Sequence, residues 1–577
     1  MSVSSHAASI KVSAPDRPKA LGGRFTDLSA DKLRGGYYTS DDIAAWICRW
    51  AVQNPGDHVL EPSCGDGVFV RAALHRLDDL GADGRMIADQ VTGVEIIPEE
   101  AGKARNYLQS QLGAITDDAI ETGDFFQWWN STERSSFDVV VGNPPFIRYQ
   151  TFPEPHRSRA MEIMKGLGLS PNRLTNIWVP FVVASAALLR PGGRMAFILP
   201  AELLQVSYAS QLRSFLTDRF ARLDLITCNE LFFNKAEQEV VILFADGARA
   251  APSDHNRCQV TMTQKATASE ILQSVPSDII RQAEPKTVCH DSEKWLKYFL
   301  SPSEISFMRE LRSSDIATPF STFASVKVGV VTGRNQYFVM NQNEIDDRNL
   351  SEYMIPLVSR AAHLVGSRLG KPELRRLSAD NQRVHLLDLN SINGSKLPPS
   401  LDAYIKSGES QGVHEGYKCS IRTPWYAVPS IWTPDAFLFR QIYDFPRAVL
   451  NNARATCTDT IHRIKCKANP RSVIANTYTH LTAASAEIEG RSYGGGVLEL
   501  EPTEAERMLV PAKLGPAVPL SECDRLVRDG RLSDVLEAND RLILVETLGL
   551  TRGECLKLKR IWEKMRDRRL SRRRNGK

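Results

Sequence analysis

The stretch Asp138-Val-Val-Val-Gly-Asn143-Pro144-Pro145-Phe146 sets an amide and a carbonyl at the end of an apolar run. Three β-branched residues after an acid read as a buried strand that stops at a rigid polar loop. The two prolines fix their own φ and push the residue before them out of helical space. Asn143 and the carbonyl of Pro144 are then held as a stiff pair of hydrogen-bond acceptors at a strand's carboxyl end. Such a pair can grip an exocyclic NH2 group, and Phe146 adds a flat face on which a ring can stack. The plainer use of these residues is a Pro-Pro loop closing a strand, with Phe146 as core. The rest of the chain weighs against it.

Upstream, Val59-Leu-Glu61-Pro62-Ser63-Cys64-Gly65-Asp66-Gly67 follows a first apolar run and opens a helical stretch. Glycines there let backbone approach a ligand, and a helix start presents free N–H groups. The spacing is not the G-x-G-x-x-G of a pyrophosphate grip. Instead Glu61 and Asp66 flank Gly65; two carboxylates repel a diphosphate but suit a cationic ligand such as S-adenosylmethionine. The next apolar run ends Gly93-Val94-Glu95-Ile96, where a carboxylate suits a ribose diol. The third ends Gly123-Asp124-Phe125-Phe126, where an acid can accept from an adenine amino group while Phe125 covers the ring. Each acid alone also serves as a helix cap or loop acid. Three in this order, followed by Asn143-Pro144-Pro145-Phe146, form a constellation. Arg34-Gly-Gly-Tyr37-Tyr38-Thr39-Ser40-Asp41 precedes a helix and reads either as an N-cap or as a lid over the ligand.

Positioning these loops calls for a parallel α/β sheet. Residues 35–245 alternate apolar strands with helical stretches, as such a sheet does. Seven strands are expected: His58–Glu61, Gln90–Glu95, Ala119–Thr122, Phe137–Val141, Arg194–Leu199, Leu223–Thr227 and Glu239–Ala245. Helices are expected over Asp41–Val52, Gly67–Leu80 and Asn176–Leu189. Residues 246–289 are polar and irregular and read as a linker. Residues 290–520 mix short strands, Gly/Pro turns and basic residues. Residues 521–577 read as a helical, basic extension, either a solvated charge run or a segment that contacts phosphates. Residues 1–34 are Ser/Ala-rich, polar and flexible in character.

At 577 residues the chain is too long for one core. Hydrophobic content of 42% and charged content of 24% are those of a soluble globular protein. The net charge of +4 neither requires nor forbids nucleic acid, because a local basic face suffices. The 10 cysteines are scattered, with no C-x-x-C pair and no zinc spacing, which fits a reduced, cytoplasmic protein without a structural metal. No apolar run approaches the roughly 18 residues of a membrane helix, and no signal-peptide pattern opens the chain.

At these residues the chain resembles the gamma-class DNA amino-methyltransferases of type II restriction–modification systems, the TaqI-like type. The order matches: Gly36-Tyr37-Tyr38-Thr39, then Glu61-Pro62-Ser63-Cys64-Gly65-Asp66-Gly67, Glu95, Asp124-Phe125 and Asn143-Pro144-Pro145-Phe146. The match covers about 210 residues well. It extends loosely into Val328–Phe338 and Arg491–Gly496.

The resemblance implies a Rossmann-like seven-stranded methyltransferase sheet with a C-terminal α+β target-recognition region. It implies that Tyr38, Thr39, Glu61–Gly67, Glu95, Ile96, Asp124, Phe125 and Asn143 hold S-adenosylmethionine. Asn143 and Pro144 would bind the target amino group, and Phe146 would stack on the flipped base. A second aromatic, Phe233 or failing that Phe232, would stack on the other face. Arg334, Asn335 and Arg491 are candidate DNA contacts.

The expected reaction is methylation of adenine N6 in double-stranded DNA by a monomer that works beside a separate restriction endonuclease. Cytosine N4 would use the same grip. Methylation of a protein glutamine uses a similar motif in much shorter chains. A silent nucleic-acid-binding module would not need the motif set intact. No cysteine stands in a Pro-Cys context after a strand, which argues against cytosine C5 chemistry. The short N-terminal segment leaves little room for a fused nuclease, and no Pro-Asp … Glu-x-Lys pattern is evident in residues 290–577.

Overall fold

The computed structural model describes residues 39–571 except 84–86, 113–118, 229–238, 251–257, 289–292, 393–396 and 494. Val59–Glu61 (β1), Val91–Glu95 (β2), Ile120–Thr122 (β3) and Phe137–Gly142 (β4) run parallel in the order β3-β2-β1-β4. Leu189–Pro200 (β5), Phe220–Cys228 (β6) and Val240–Ala248 (β7) extend the sheet. β7 lies antiparallel between β5 and β6. β4 is buried almost throughout because a central parallel strand is covered on both faces, which is why it reads as an unbroken apolar run. The strand order reverses between β1 and β4. Loops after β1, β2, β3 and β4 therefore emerge at one edge, around the switch point where open α/β sheets bind ligands.

Asp41–Ala51 (α1), Val68–Asp79 (α2) and Pro98–Leu112 (α3) cover one face of the sheet. α1 starts at Ser40, whose Oγ accepts from Ile43 N, and it buries Ile43, Trp46, Ile47 and Trp50 on one side. Phe125–Ser131 (α4), His156–Gly166 (α5) and Trp178–Leu188 (α6) cover the other face. α6 is apolar on nearly every side, and it is buried on nearly every side. Trp295–Phe299 packs against the short helix Glu202–Gln205, and Trp295, Tyr298, Phe307 and Met308 share one continuous core with the sheet.

The stretch expected to be a linker differs from that expectation. Gln259–Lys265 (β8) adds an eighth strand, parallel to β6, at the sheet edge. Short helices at Ala268–Leu272 and Pro276–Gln282 then return against α1, where Trp46 Nε1 donates to the Ser274 carbonyl at 2.7 Å. β8 escaped the sequence reading because an edge strand needs few apolar residues, and Gln-Val-Thr-Met-Thr-Gln-Lys has two.

Beyond it, the C-terminal region is α+β. Ala324–Val328, Ile461–Cys466, Ala436–Phe439, Ala448–Asn451 and Arg368–Leu369 form a five-stranded sheet in that order, beside smaller sheets and helices. The two regions also meet through buried hydrogen bonds. Gln205 Nε2 donates to the Ser492 carbonyl at 2.8 Å, and Ser492 N donates to Gln205 Oε1 at 2.7 Å.

The final helix, Arg552–Leu570, is helical as expected but is not an extension. Cys555, Leu558, Ile561, Trp562 and Met565 are buried. Arg568 pairs with Glu239 at 3.1 Å, and Arg569 with Glu487 at 2.6 Å, all four inside the protein. Residues 572–577 of the charge run lie outside the described residues. No described helix is long and apolar enough to cross a membrane.

Candidate active site

At the sheet's carboxyl edge a cavity of about 200 Å3 is lined by Thr39, Glu61, Pro62, Ser63, Cys64, Gly65, Asp66, Glu95, Ile96, Asp124, Phe125 and Asn143. The structure thus brings most of the expected ligand-binding residues around one space. Of the remainder, Gly67 does not line the cavity, while Tyr38 lies outside the described residues, as do Phe232 and Phe233.

The loop after β1 is tied down by backbone hydrogen bonds. Cys64 N donates to the Val94 carbonyl at 2.9 Å, and Gly67 N donates to the Cys64 carbonyl at 2.7 Å. Gly67 takes a left-handed φ of 87° as α2 begins, and a Cβ there would stand 2.9 Å from Ala104 Cβ of α3. That glycine lets two helices and the loop converge.

Glu61 is sealed inside, its Oε2 accepting from Val70 N at 3.0 Å. Burial pushes its carboxyl well above the usual carboxylate range, and the nearby charges of Asp66 and Glu95 push the same way. Glu95 accepts from Gly65 N at 2.9 Å and from Ile97 N at 2.8 Å. It therefore holds the loop after β1 to the loop after β2, and burial raises its carboxyl too. Burial likewise pushes the Cys64 thiol up, which keeps it protonated and unreactive. Ser63 Oγ is buried without a hydrogen-bond partner among the described residues.

Asp124 caps α4 by accepting from Phe126 N at 3.2 Å. Its Oδ2 lies 3.1 Å from Arg159 Nη1 and 3.0 Å from His156 Nδ1, both on α5. Phe125 stacks on Phe181 with centroids 5.1 Å apart and planes 11° apart. Phe152 and Ile147 complete this apolar wall. Phe152, Phe181 and the Arg159–His156 support were missed in sequence, because helical spacing marks such residues only as core or surface.

Asn143, half-buried, donates from Nδ2 to Thr39 Oγ1 at 3.4 Å, which engages the NH2 end of its amide. Pro144 is buried beside it, and Phe146 is half-buried against the cores of both sheet faces. Neither lines the cavity, which extends along Pro145 and Ile147 instead. Gly142 precedes them at φ 155°, and a Cβ there would sit 3.4 Å from the Phe197 ring and 3.6 Å from Glu61 Cγ.

The three expected DNA contacts part company. Arg334 and Asn335 are exposed on one turn, where Thr332 Oγ1 donates to Asn335 Oδ1 at 2.6 Å. Arg491, by contrast, is half-buried and paired: its Nε donates at 2.7 Å to Glu504 Oε1, an oxygen that also takes Lys294 Nζ at 2.6 Å. Among the described residues no group of three or more His, Cys, Asp or Glu is arranged to hold a metal ion.

Comparison with known proteins adds relatives to this geometry. Residues 90–232 match the family model of the Eco57I restriction-modification methylase, and residues 292–544 match that of the C-terminal domain of type II methyltransferase M.Eco57I. The chain is 23% identical over 487 residues to type II methyltransferase M.AccI of Acinetobacter calcoaceticus, covering 82% of this chain and 84% of that one. It is 30% identical over 221 residues to M.TthHB8I of Thermus thermophilus, covering 37% and 46%. The type IIL restriction-modification enzyme MmeI, solved in complex with DNA, is similar in fold, with TM-score 0.58 and 14% identity over 93% of this chain and 80% of that one.

Proposed function

The chain belongs to the type II restriction–modification DNA methyltransferases, and from that premise we propose that it methylates the exocyclic N6 of a flipped adenine in double-stranded DNA, with S-adenosylmethionine as donor. The methylated site would be protected from a separate cognate endonuclease. The observation that carries this reading is the place of Asn143, at the head of the Asn143–Pro144 pair, on the edge of a cavity walled by carboxyl groups.

The cavity fits the donor. The carboxyl groups of Glu61, Asp66, Glu95 and Asp124 surround it and suit a cation, those of Glu61 and Glu95, raised by burial, by giving up a proton as it binds, and Ser63 Oγ needs a polar partner there. Bound there, S-adenosylmethionine supplies an electrophilic methyl group on a positively charged sulfur. Phe125, stacked on Phe181, offers a flat face to an aromatic ring, and the apolar wall excludes water.

The chain's own work is on the base. An amino group inside a duplex is out of reach, so the nucleotide must leave the stack at a cost of a few kcal/mol. Stacking on Phe146 offsets much of it, aromatic stacking contributing about 1–3 kcal/mol per base. The amino lone pair is delocalised into the ring and is a weak nucleophile. Asn143 Oδ1 and the Pro144 carbonyl accept its two hydrogens, draw them out of the ring plane and localise the lone pair on nitrogen. Positioning and electrostatics thus supply the catalysis, with no covalent intermediate on the enzyme.

Titration supports a test of the cavity. A carboxyl whose folded pKa is raised contributes stability below its ordinary pKa and loses it as pH rises through the raised value. Glu61 is such a group. A cation beside it reverses the shift, so binding of S-adenosylmethionine is expected to release a proton and to tighten as pH rises above the usual carboxylate range. Calorimetry in buffers of different ionisation enthalpy measures the proton. Glu61→Gln is expected to abolish its release, and a wild-type titration with no proton exchange contradicts the assignment. Transfer of labelled methyl from the donor to plasmid DNA tests the function itself.

A further inference from the structure

Next to the catalytic loop the chain displays an apolar side chain that its own fold does not use. Leu174 is 69% exposed, although its neighbours Thr175 and Asn176 are buried. The turn that carries it is fully built. Leu174 N donates to Asn172 Oδ1 at 2.8 Å, Asn172 N donates to Thr175 Oγ1 at 3.0 Å, and Thr175 N donates to the Asn172 carbonyl at 3.0 Å. It is also fastened to the segment that follows Phe146. Ile177 N donates to the carbonyl of Ile147, a cavity residue, at 2.9 Å, and Gln150 Nε2 reaches the Arg173 carbonyl at 3.4 Å. Arg148 and Arg173, one on each strand of this junction, are exposed, and neither guanidinium has a partner among the described residues. An apolar tip on a junction that also carries two unpaired cations, braced against the catalytic loop, complements a duplex: phosphates for the cations and a base stack for the tip.

We propose that this junction is the lip on which the duplex opens. Leu174 enters the stack where the target nucleotide has left it, and Arg148 and Arg173 hold the phosphates on either side. Apolar wedges from other folds part base steps in this way, and the cost of unstacking is what they offset. The inference rests on the base-flipping reading above and assigns residues that the catalytic grip does not contain.

The test uses the full chain and a duplex oligonucleotide carrying a site that the wild-type enzyme modifies in plasmid DNA. Leu174→Ala is expected to lower kcat/KM on the paired duplex by about tenfold, the effect of a little over one kcal/mol of lost transition-state stabilisation. On the same duplex with an abasic position opposite the target base, the variant is expected to match wild type, because pairing no longer opposes flipping. Affinity for S-adenosylmethionine should not change, since Leu174 is not among the cavity residues. Arg148→Gln and Arg173→Gln are each expected to reduce the slope of log Kd for DNA against log salt by about 0.9. Equal activity of Leu174→Ala and wild type on the paired duplex, or an equal loss on both duplexes, overturns the wedge. Unchanged salt slopes overturn the phosphate contacts. Should the wild-type enzyme transfer no methyl to any DNA, the parent reading fails and takes this one with it.

Discussion

Asn143→Ala is expected to lower kcat for DNA methylation by about 10²–10³-fold, the usual loss when one preorganised polar partner of the reacting group is removed. Affinity for S-adenosylmethionine should fall by no more than about tenfold, because a single hydrogen bond at the cavity edge contributes about 1 kcal/mol. The split follows from geometry. Asn143 borders the cavity but stands at the end of β4, with its Nδ2 engaged by Thr39. Its acceptor, Oδ1, is the atom that the proposed grip on the target amino group uses. Asn143→Asp keeps an acceptor and should retain measurable turnover, whereas Asn143→Leu should not. Single-turnover methylation with equilibrium donor binding checks both halves. A variant that methylates at the wild-type rate removes Asn143 from the mechanism.

The second large effect is on stability and comes from the far end of the chain. Arg569 is 1% exposed and pairs with Glu487 at 2.6 Å, and it also donates to the carbonyls of Tyr443 and Gly496. Arg569→Met leaves Glu487 buried without its cation, and such a break costs about 3–5 kcal/mol. Burial already raises the Glu487 carboxyl even with Arg569 beside it. Without the cation the group takes up a proton at higher pH still. A raised acid loses its stabilising contribution as pH rises, so the variant's deficit should be larger at pH 8 than at pH 5. Replacing the pair together, as Glu487→Leu with Arg569→Met, removes the orphaned charge and should recover most of the loss. Urea unfolding at the two pH values measures this. A deficit below about 1 kcal/mol, or one independent of pH, contradicts the assignment.

That pair also shows where sequence reading stops. Lys557 to Arg569 reads as a charge run, and charge runs are usually solvated. Nothing in the run distinguishes Arg568 and Arg569 from their neighbours until Glu239 and Glu487 arrive from elsewhere in the chain. Arg491 shows the same limit, since Glu504 becomes its partner only once the strand at Arg491–Tyr493 is folded. The sheet was legible for the opposite reason. Parallel strands covered on both faces must be apolar throughout, so β1, β2 and β4 stand out as short runs and their acids and prolines mark the ends. The expected strands at Leu223–Thr227 and Glu239–Ala245 lie on β6 and β7, within a few residues of the observed limits. The cavity's acids could be named because each follows such a run. Phe152 and Phe181 could not, because their place opposite Phe125 depends on how α5 and α6 pack.

The Asn143–Pro144 grip is proposed to act on an adenine amino group in DNA. The most direct test incubates the purified protein with methyl-labelled S-adenosylmethionine and mixed plasmid DNA, digests the DNA to nucleosides and identifies the labelled one by mass spectrometry. Label in N6-methyldeoxyadenosine, lost with Asn143→Ala, is the predicted result. Label in N4-methyldeoxycytidine would keep the grip and change the base. DNA that takes up no label, with methyl appearing in protein or RNA instead, would contradict the claim.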